Sequence, residues 1–142
     1  MPLRPDLIAA YRKAHYVIFV EMRGSPELVL KIGEPNAELD ALLEAEGAAS
    51  ASYVTASNPR GERRSETENA SALDSLKSIL QKKPYRCRAG EGRDPQGRWP
   101  AEPSMLVLGI ARAEAEALGR RFGQNAIVFA EKGKAPELVL LG

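Results

Sequence analysis

Apolar residues recur along the chain with two periods, and these periods predict alternating helices and strands. Spacings of three and four residues predict helices that begin near Pro5, Asn36, Ser65 and Ala111. β-Branched runs and strict alternation predict strands at 15–22, 27–32, 52–57, 85–89, 105–110, 126–130 and 137–141. The Gly- and Pro-rich stretch 90–103 is predicted to be a loop, and a turn is predicted at Gly24.

Polar residues mark where several of these helices begin and end. Asn36 is a predicted N-cap, and Gly47 is predicted to end the helix that follows it. Ser65 and Glu68 have the spacing of a capping box at the start of the third helix. Pro84 cannot continue that helix, which therefore ends near residue 82.

The order of the predicted elements indicates the fold class. From Ser52 onward it is strand, helix, strand, strand, helix, strand, which is the ferredoxin-like split βαβ pattern. We therefore predict an α+β protein with a βαββαβ core and one extra C-terminal strand over 50–142. An N-terminal helix, hairpin and helix over 1–49 would extend the sheet or cover an open face. With 142 residues, the whole chain 1–142 is predicted to be one domain.

This topology predicts a polar rim. In a ferredoxin-like sheet, four junctions between strands and helices meet at one end of the sheet. The junctions of this chain carry unusual polar residues and the single tryptophan. They would bring together Thr55, Asn58, Glu68, Asn69, Trp99, Glu102, Ser104 and Gln124.

Composition limits the chemistry that such a rim can perform. The one cysteine, Cys87, excludes an intrachain disulfide and a cysteine-cluster zinc site. The one histidine, His15, argues against a histidine-rich metal site or a Ser-His-Asp triad. No apolar run approaches the ~20 residues of a membrane span, and the N-terminal residues do not resemble a secretion signal. We expect a cytoplasmic protein without membrane contact that uses carboxylate, amide and arginine groups.

Charge is balanced overall but not along the chain. The net charge is +1, yet residues 60–98 hold ten Lys and Arg against six Asp and Glu. Arg60, Arg63 and Arg64 directly precede the helix that begins at Ser65, whose free N–H groups attract anions. This segment is either a solvated basic face or a receptor for a phosphate or carboxylate.

The rim offers two candidate catalytic carboxylates, Glu102 and Glu68. Glu102 could act as a general acid or base, whereas the capping box already accounts for Glu68. Together they could hold a divalent metal, but one carboxylate is a poor metal site, and no cofactor is predicted. Trp99 lies in a loop stiffened by Pro100 and Pro103, as either a binding wall or a buried anchor.

Asn69 has a structural and a functional interpretation. It lies four residues before Leu73, on the same stripe as the predicted core leucines of its helix. An amide there must find a partner, because burying it unpaired costs ~1–3 kcal/mol. The partner is either the loop at Asn58 and Pro59 or a ligand.

Four short motifs resemble the signature of a bacterial family, the domain-of-unknown-function family 3293. They are Tyr53-Val-Thr-Ala-Ser-Asn-Pro59, Glu68-Asn69, Trp99-Pro-Ala-Glu-Pro-Ser104 and Phe122-Gly-Gln-Asn-Ala126. The resemblance extends from about Tyr11 to Leu140, and the tryptophan segment is one residue longer than the usual spacing. It implies no activity, but it favours a functional unit of Thr55, Asn58, Asn69, Glu102, Ser104 and Gln124.

Three functions remain open from the sequence. The first is binding of, or action on, a small polar anionic ligand. Its ligand-binding residues would be Thr55, Asn58, Arg60, Arg64, Asn69, Trp99, Ser104 and Gln124. The second is a nucleic-acid-binding or metal-dependent nuclease domain that contacts phosphates through Arg86, Arg88 and Arg93. The third is a structural domain in which the polar residues form a buried network. The sequence does not indicate an oligomeric state.

Overall fold

In the computed structural model, which describes residues 4–22 and 25–141, seven strands form a single antiparallel sheet. The strands are β1 (His15–Met22), β2 (Ser25–Leu30), β3 (Ser50–Thr55), β4 (Arg86–Arg93), β5 (Glu102–Leu108), β6 (Ala126–Glu131) and β7 (Glu137–Leu140). Their order across the sheet is β2-β1-β4-β5-β3-β6-β7. The predicted N-terminal hairpin is confirmed by the β1–β2 pairing. Gly24 and the first three residues of the N-terminal segment lie outside the described residues.

Four α-helices accompany the sheet within the described ranges. They are α1 (Pro5–Lys13), α2 (Ala37–Glu46), α3 (Glu66–Gln81) and α4 (Arg112–Arg121). The predicted caps are confirmed: the Leu39 N–H donates to Asn36 Oδ1 at 2.9 Å, and Gly47 ends α2 at φ +65°. The predicted α+β class is confirmed as well.

The sheet separates two hydrophobic cores. On one face, Leu39, Leu42 and Leu43 of α2 pack with residues that include Ile18 and Leu106. On the other face, side chains of α3 and α4 pack together, among them Leu76, Leu80, Ala115 and Leu118. Side chains alternate between the faces along each strand, so residues 105–108 of β5, which lies inside the sheet, are apolar on both sides.

The N-terminal part both extends the sheet and covers a face. β1 pairs with β4, with Val17 opposite Glu91 and Ile18 opposite Gly90, and this pairing adds the hairpin to the sheet. α2 lies over the face that carries Leu28 and Leu30 of the hairpin. The sheet is therefore continuous across residue 50, where the sequence predicts the core to begin.

The prediction of a loop over 90–103 is wrong at both ends. β4 continues through Gly90 to Arg93, and β5 begins at Glu102 instead of residue 105. The pairing of β4 with β1 stabilises the extension, and glycine permits it: a Cβ at Gly90 would lie 2.0 Å from the Val17 carbonyl oxygen. Trp99 remains in the loop between the two strands.

No helix in the described part of the chain is long and apolar enough to cross a membrane.

Candidate functional site

A cavity of about 260 Å³ lies at the end of the sheet that carries the predicted rim. We call it the rim cavity. α1 forms one wall through Leu7, Ala10 and Tyr11. Tyr53 and Val128 line it from the sheet and belong to the α2-side core, which places the cavity on that face.

Six of the residues predicted for the rim line this cavity. They are Thr55, Asn58, Trp99, Glu102, Ser104 and Gln124. Four others from the predicted site do not line it: Arg60, Arg64, Glu68 and Asn69. The topology thus brought together the strand ends and the tryptophan loop, while the side chains at the start of α3 lie elsewhere.

Glu102 is the carboxylate of the cavity. It lies at the first position of β5, partly buried, and its Oε2 accepts a hydrogen bond of 2.6 Å from Asn58 Nδ2. Its Oε1 accepts no hydrogen bond from the described residues. Burial raises the pKa of Glu102 above its ordinary value, and the bond from Asn58 offsets part of that effect. The geometry leaves one carboxylate oxygen to interact with whatever occupies the cavity.

Asn58 joins Glu102 to the loop at 58–64. Its backbone is left-handed, with φ +47°, a conformation that asparagine tolerates better than most residues. Its Oδ1 accepts hydrogen bonds from the Arg64 backbone N–H at 2.8 Å and from Asn69 Nδ2 at 3.0 Å. The Asn58 N–H donates in turn to Asn69 Oδ1 at 2.9 Å. Asn69 therefore bonds to the loop, which is one of the two partners considered for it, and holds Asn58 in place behind the cavity.

Hydroxyl and amide groups at the strand ends are fixed by the backbone. Thr55 Oγ1 donates to the Pro103 carbonyl at 2.8 Å, and Ser104 Oγ donates to the Glu102 carbonyl at 2.9 Å. Gln124 Nε2 donates to the Ser57 carbonyl at 3.1 Å. These bonds set the cavity wall, and they leave Gln124 Oε1 without a donor in the described chain.

Aromatic residues are concentrated in the rim cavity. It is lined by three of the four tyrosines, Tyr11, Tyr16 and Tyr53, and by the single tryptophan, Trp99. The Tyr16 and Tyr53 rings meet edge to face, with centroids 5.4 Å apart. Their hydroxyls donate to the carbonyls of Tyr11, at 2.5 Å, and Val17, at 3.0 Å. Burial raises the pKa of all three tyrosines, so their hydroxyls stay protonated.

Sequence analysis missed these tyrosines as cavity residues. Two spacings could have indicated them. Tyr53 lies two positions before Thr55 in β3 and therefore shares its face, and Tyr11 lies four positions after Leu7 in α1. Asn125 Nδ2 donates a hydrogen bond of 3.1 Å to the Tyr11 hydroxyl. No local spacing predicts this bond, because the two residues are more than a hundred positions apart in the sequence.

The predicted anion receptor is only partly assembled at the cavity. Arg63 lines it and is exposed, so it lies at the opening. The backbone of Arg64 is held by Asn58, and its side chain pairs with Glu62 at 3.4 Å. Arg60 has a left-handed backbone with φ +59°, and its N–H donates to the Gly123 carbonyl at 2.7 Å. Arg63 is thus the arginine of this loop that can reach a ligand in the cavity.

Glu68 forms the predicted capping box. Its backbone N–H donates to Ser65 Oγ at 3.1 Å, and its carboxylate accepts from the Ser65 N–H at 3.2 Å. These bonds lower the pKa of Glu68, and the side chain is exposed. Glu68 therefore does not supply a second carboxylate to the cavity. The described residues contain no group of three His, Cys, Asp or Glu side chains arranged to hold a metal ion.

The arginines predicted to contact nucleic acid are paired with carboxylates. Arg86 and Arg88 both contact Glu46 of α2, at 2.8 and 3.0 Å. Arg93 contacts Glu27 at 2.8 Å and Glu91 at 2.6 Å. A phosphate backbone would have to compete with these carboxylates for the guanidinium groups. The nucleic-acid hypothesis stays a prediction.

Comparison with known proteins gives one match. The model of a family described as "Protein of unknown function (DUF3293)" matches residues 54–127. The match is shorter than the resemblance drawn from about Tyr11 to Leu140, and it leaves Tyr11, Tyr16 and Tyr53 outside. It includes all six rim residues that line the cavity. No curated protein and no solved structure matches the chain.

Proposed function

The chain belongs to the DUF3293 family of proteins of unknown function, and we propose that it binds a small polar ligand with an anionic group in the rim cavity. One observation carries the proposal. Glu102 keeps a carboxylate in a partly buried, aromatic-lined cavity, with one oxygen bound by Asn58 and the other unbound by the described chain. Burying a charged group with few partners costs stability, and such groups cluster at functional sites.

The cavity residues divide into three roles. Trp99 and the tyrosines supply an apolar wall, and Glu102 and Gln124 offer hydrogen-bond acceptors that fix the orientation of the ligand. Arg63 at the opening supplies the positive charge that an anionic group would contact. This combination of an apolar wall with a few convergent polar groups is typical of small-molecule sites.

If the bound molecule reacts, Glu102 is the group suited to move a proton. Burial raises its pKa, which brings it closer to the range in which a carboxyl group can both take and give a proton. Oε2 is occupied by the Asn58 amide, so the proton would be exchanged through Oε1.

Trp99 is the natural probe for a binding test, because it is the single tryptophan and lines the cavity. We expect titration with small carboxylates (acetate, lactate, 3-phenylpropionate) or inorganic phosphate to change Trp99 fluorescence saturably. The Arg63→Gln variant should weaken binding, whereas Arg60→Gln, in the same loop but outside the cavity, should not. A fluorescence signal that none of these anions changes would contradict the proposal. Equal weakening by both variants would contradict the role of Arg63.

A purely structural domain is the second candidate, favoured by the reciprocal bonds between Asn58 and Asn69. These two residues stabilise the 58–64 loop without any ligand. The two candidates differ in what they expect of Glu102, because a structural network has no use for a carboxylate oxygen without a donor. Because the Glu102 carboxylate repels anions, Glu102→Gln should strengthen acetate binding under the first proposal, whereas under the second acetate binds neither protein.

We also infer that β3 to β6, with α3 and α4, form a ferredoxin-like split βαβ unit. The order β4-β5-β3-β6 with antiparallel pairing supports this arrangement, as does the packing of α3 and α4 on one face. Cytoplasmic location stays a prediction.

A further inference from the structure

The rim cavity is lined by both a carboxylate and aromatic rings. Glu102 and the aromatic residues Tyr11, Tyr16, Tyr53 and Trp99 line the same space. Burial is the main cause of the raised pKa of each of the three tyrosines, and the negative charge of Glu102 adds to it, so all three lie within its electrostatic reach. The tyrosine side chains carry no charge to balance that of Glu102.

An anionic group placed beside Glu102 would be repelled. Repulsion between like charges is strong where water is displaced, and it grows as a ligand fills the cavity. The group that meets Oε1 must therefore donate a hydrogen bond, and a positive charge would also neutralise the carboxylate. Asn58 supplies a neutral donor to Oε2 but no charge.

Aromatic faces favour the same kind of group. A protonated amine is attracted to the faces of tryptophan and tyrosine rings within about 6 Å of their centroids. A metal ion would be held less well, because the cavity provides one carboxylate and the described residues contain no three-residue ligand group. The volume of about 260 Å³ suits a small metabolite better than a nucleotide or drug-sized molecule.

We propose that the ligand of the rim cavity is a zwitterion of the amino-acid class, whose ammonium group binds Glu102 Oε1 among the aromatic rings while its carboxylate faces Arg63. The inference rests on the proposed function and deepens it by naming the ligand class. In this arrangement Glu102 and Arg63 contact opposite charges of the same molecule. The apolar part of that molecule would lie against Trp99.

Three matched probes test the inference. L-Phenylalanine carries both charges, 3-phenylpropionate lacks the ammonium group, and 2-phenylethylamine lacks the carboxylate. Each is titrated against the full chain with Trp99 fluorescence excited beyond phenylalanine absorption. We expect phenylalanine to bind about tenfold more tightly than either analogue, since each omits one charge interaction.

Two variants test whether Glu102 causes the preference for phenylalanine over 3-phenylpropionate. In Glu102→Gln, which keeps the size of the side chain and an acceptor for Asn58, phenylalanine should lose its advantage over 3-phenylpropionate. In Glu68→Gln, which removes a carboxylate outside the cavity, the advantage should persist. Circular dichroism checks that both variants are folded, and the comparison of probes on the unchanged chain does not depend on either.

The failures of the two proposals are distinguishable. Equal affinities for phenylalanine and 3-phenylpropionate, or a preference that survives in Glu102→Gln, would overturn the zwitterion inference and leave anion binding intact. Binding of acetate or phosphate but none of the three phenyl probes would have the same consequence. An absence of binding by every anion and by all three probes would overturn both.

Discussion

One glutamate lies at the start of α3 and another in the rim cavity, and the two environments shift the carboxylate pKa in opposite directions. Glu68 is exposed and accepts from the Ser65 N–H, and its pKa is lowered. Glu102 is partly buried and accepts from a neutral amide, and its pKa is raised. Both accept a hydrogen bond, but the bonds of Ser65 dominate the pKa of Glu68, whereas burial outweighs the Asn58 bond at Glu102.

Solvation makes the difference. Glu68 keeps water around its charge and lies where the helix dipole favours an anion. Glu102 has lost much of its water and faces tyrosine rings that supply no charge. A carboxylate at a helix start stabilises the fold, whereas one in a desolvated cavity costs stability that a ligand can recover. The predictions below alter one side of this comparison at a time, from the largest expected effect to the smallest.

Asn58→Ala should have the largest effect, because it removes the donor to Glu102 and the acceptor of Arg64 and Asn69. It also places alanine at φ +47°. We expect a loss of ~2–4 kcal/mol in the free energy of unfolding, measured with urea. Asn58→Gly keeps the backbone conformation and should recover about 1 kcal/mol of that loss. A variant as stable as wild type would show that this residue does not hold the loop.

Asn69→Ala should cost ~1–3 kcal/mol, because the Asn58 backbone N–H loses its acceptor. Thermal and urea unfolding measure the loss. The control is Ser71→Ala, an exposed position in the same helix, where little change is expected. Since Asn69 does not line the cavity, ligand affinity should fall less than stability; the reverse result would favour direct contact with the ligand.

Ser65→Ala should cost ~1 kcal/mol in unfolding free energy, the usual loss for an N-cap serine. The substitution disrupts the capping box of Glu68 and leaves the residues of the rim cavity unchanged. Ser65→Asp, which can cap the helix again, should restore stability. Binding at the cavity should be the same in both variants, and a change of affinity in Ser65→Ala would show that the two regions are coupled.

The pair Glu102→Gln and Glu68→Gln should show the smallest effect, with opposite signs. Folding makes Glu102 bind its proton more tightly, so its ionised form reduces stability at neutral pH, and Glu102→Gln should melt at a higher temperature than wild type. Folding lowers the pKa of Glu68, so Glu68→Gln should melt at a lower temperature.

Lowering the pH should abolish both differences in melting temperature between the variants and wild type. The gain in Glu102→Gln should disappear as the pH falls below the ordinary carboxyl pKa, where wild-type Glu102 is protonated in both the folded and the unfolded state. The loss in Glu68→Gln should disappear as the pH falls through the lowered pKa of Glu68. Melting temperatures measured as a function of pH give both curves, and equal signs would refute the comparison.

Local signals in the sequence predicted the ends of helices better than the ends of strands. The Asn36 cap, the Ser65–Glu68 capping box and the Gly47 stop each depend on residues within one helical turn, and all three form. The cavity-lining positions Thr55, Glu102 and Gln124 were predicted from the order of elements, because that order determines which junctions share an end of the sheet.

Long-range pairing explains what the sequence did not predict. The extension of β4 past Gly90 depends on β1, which lies about seventy residues earlier in the chain. The wall formed by Tyr11 depends on how α1 packs against the sheet and on Asn125. Arg60 does not line the cavity and has a left-handed backbone, and Asn69 bonds to Asn58 of the same turn; such turns have only weak sequence signals.

The first helix also has a consequence for measuring occupancy of the cavity. α1 has nine residues, none of them buried, and isolated helices shorter than ~12–15 residues are marginal in water. Its helical state therefore depends on tertiary contacts, among them the hydrogen bonds that Asn125 and Tyr16 donate to Tyr11. A molecule that fills the cavity should suppress local opening of α1, so the hydrogen-exchange rates of its amides would report binding without any label.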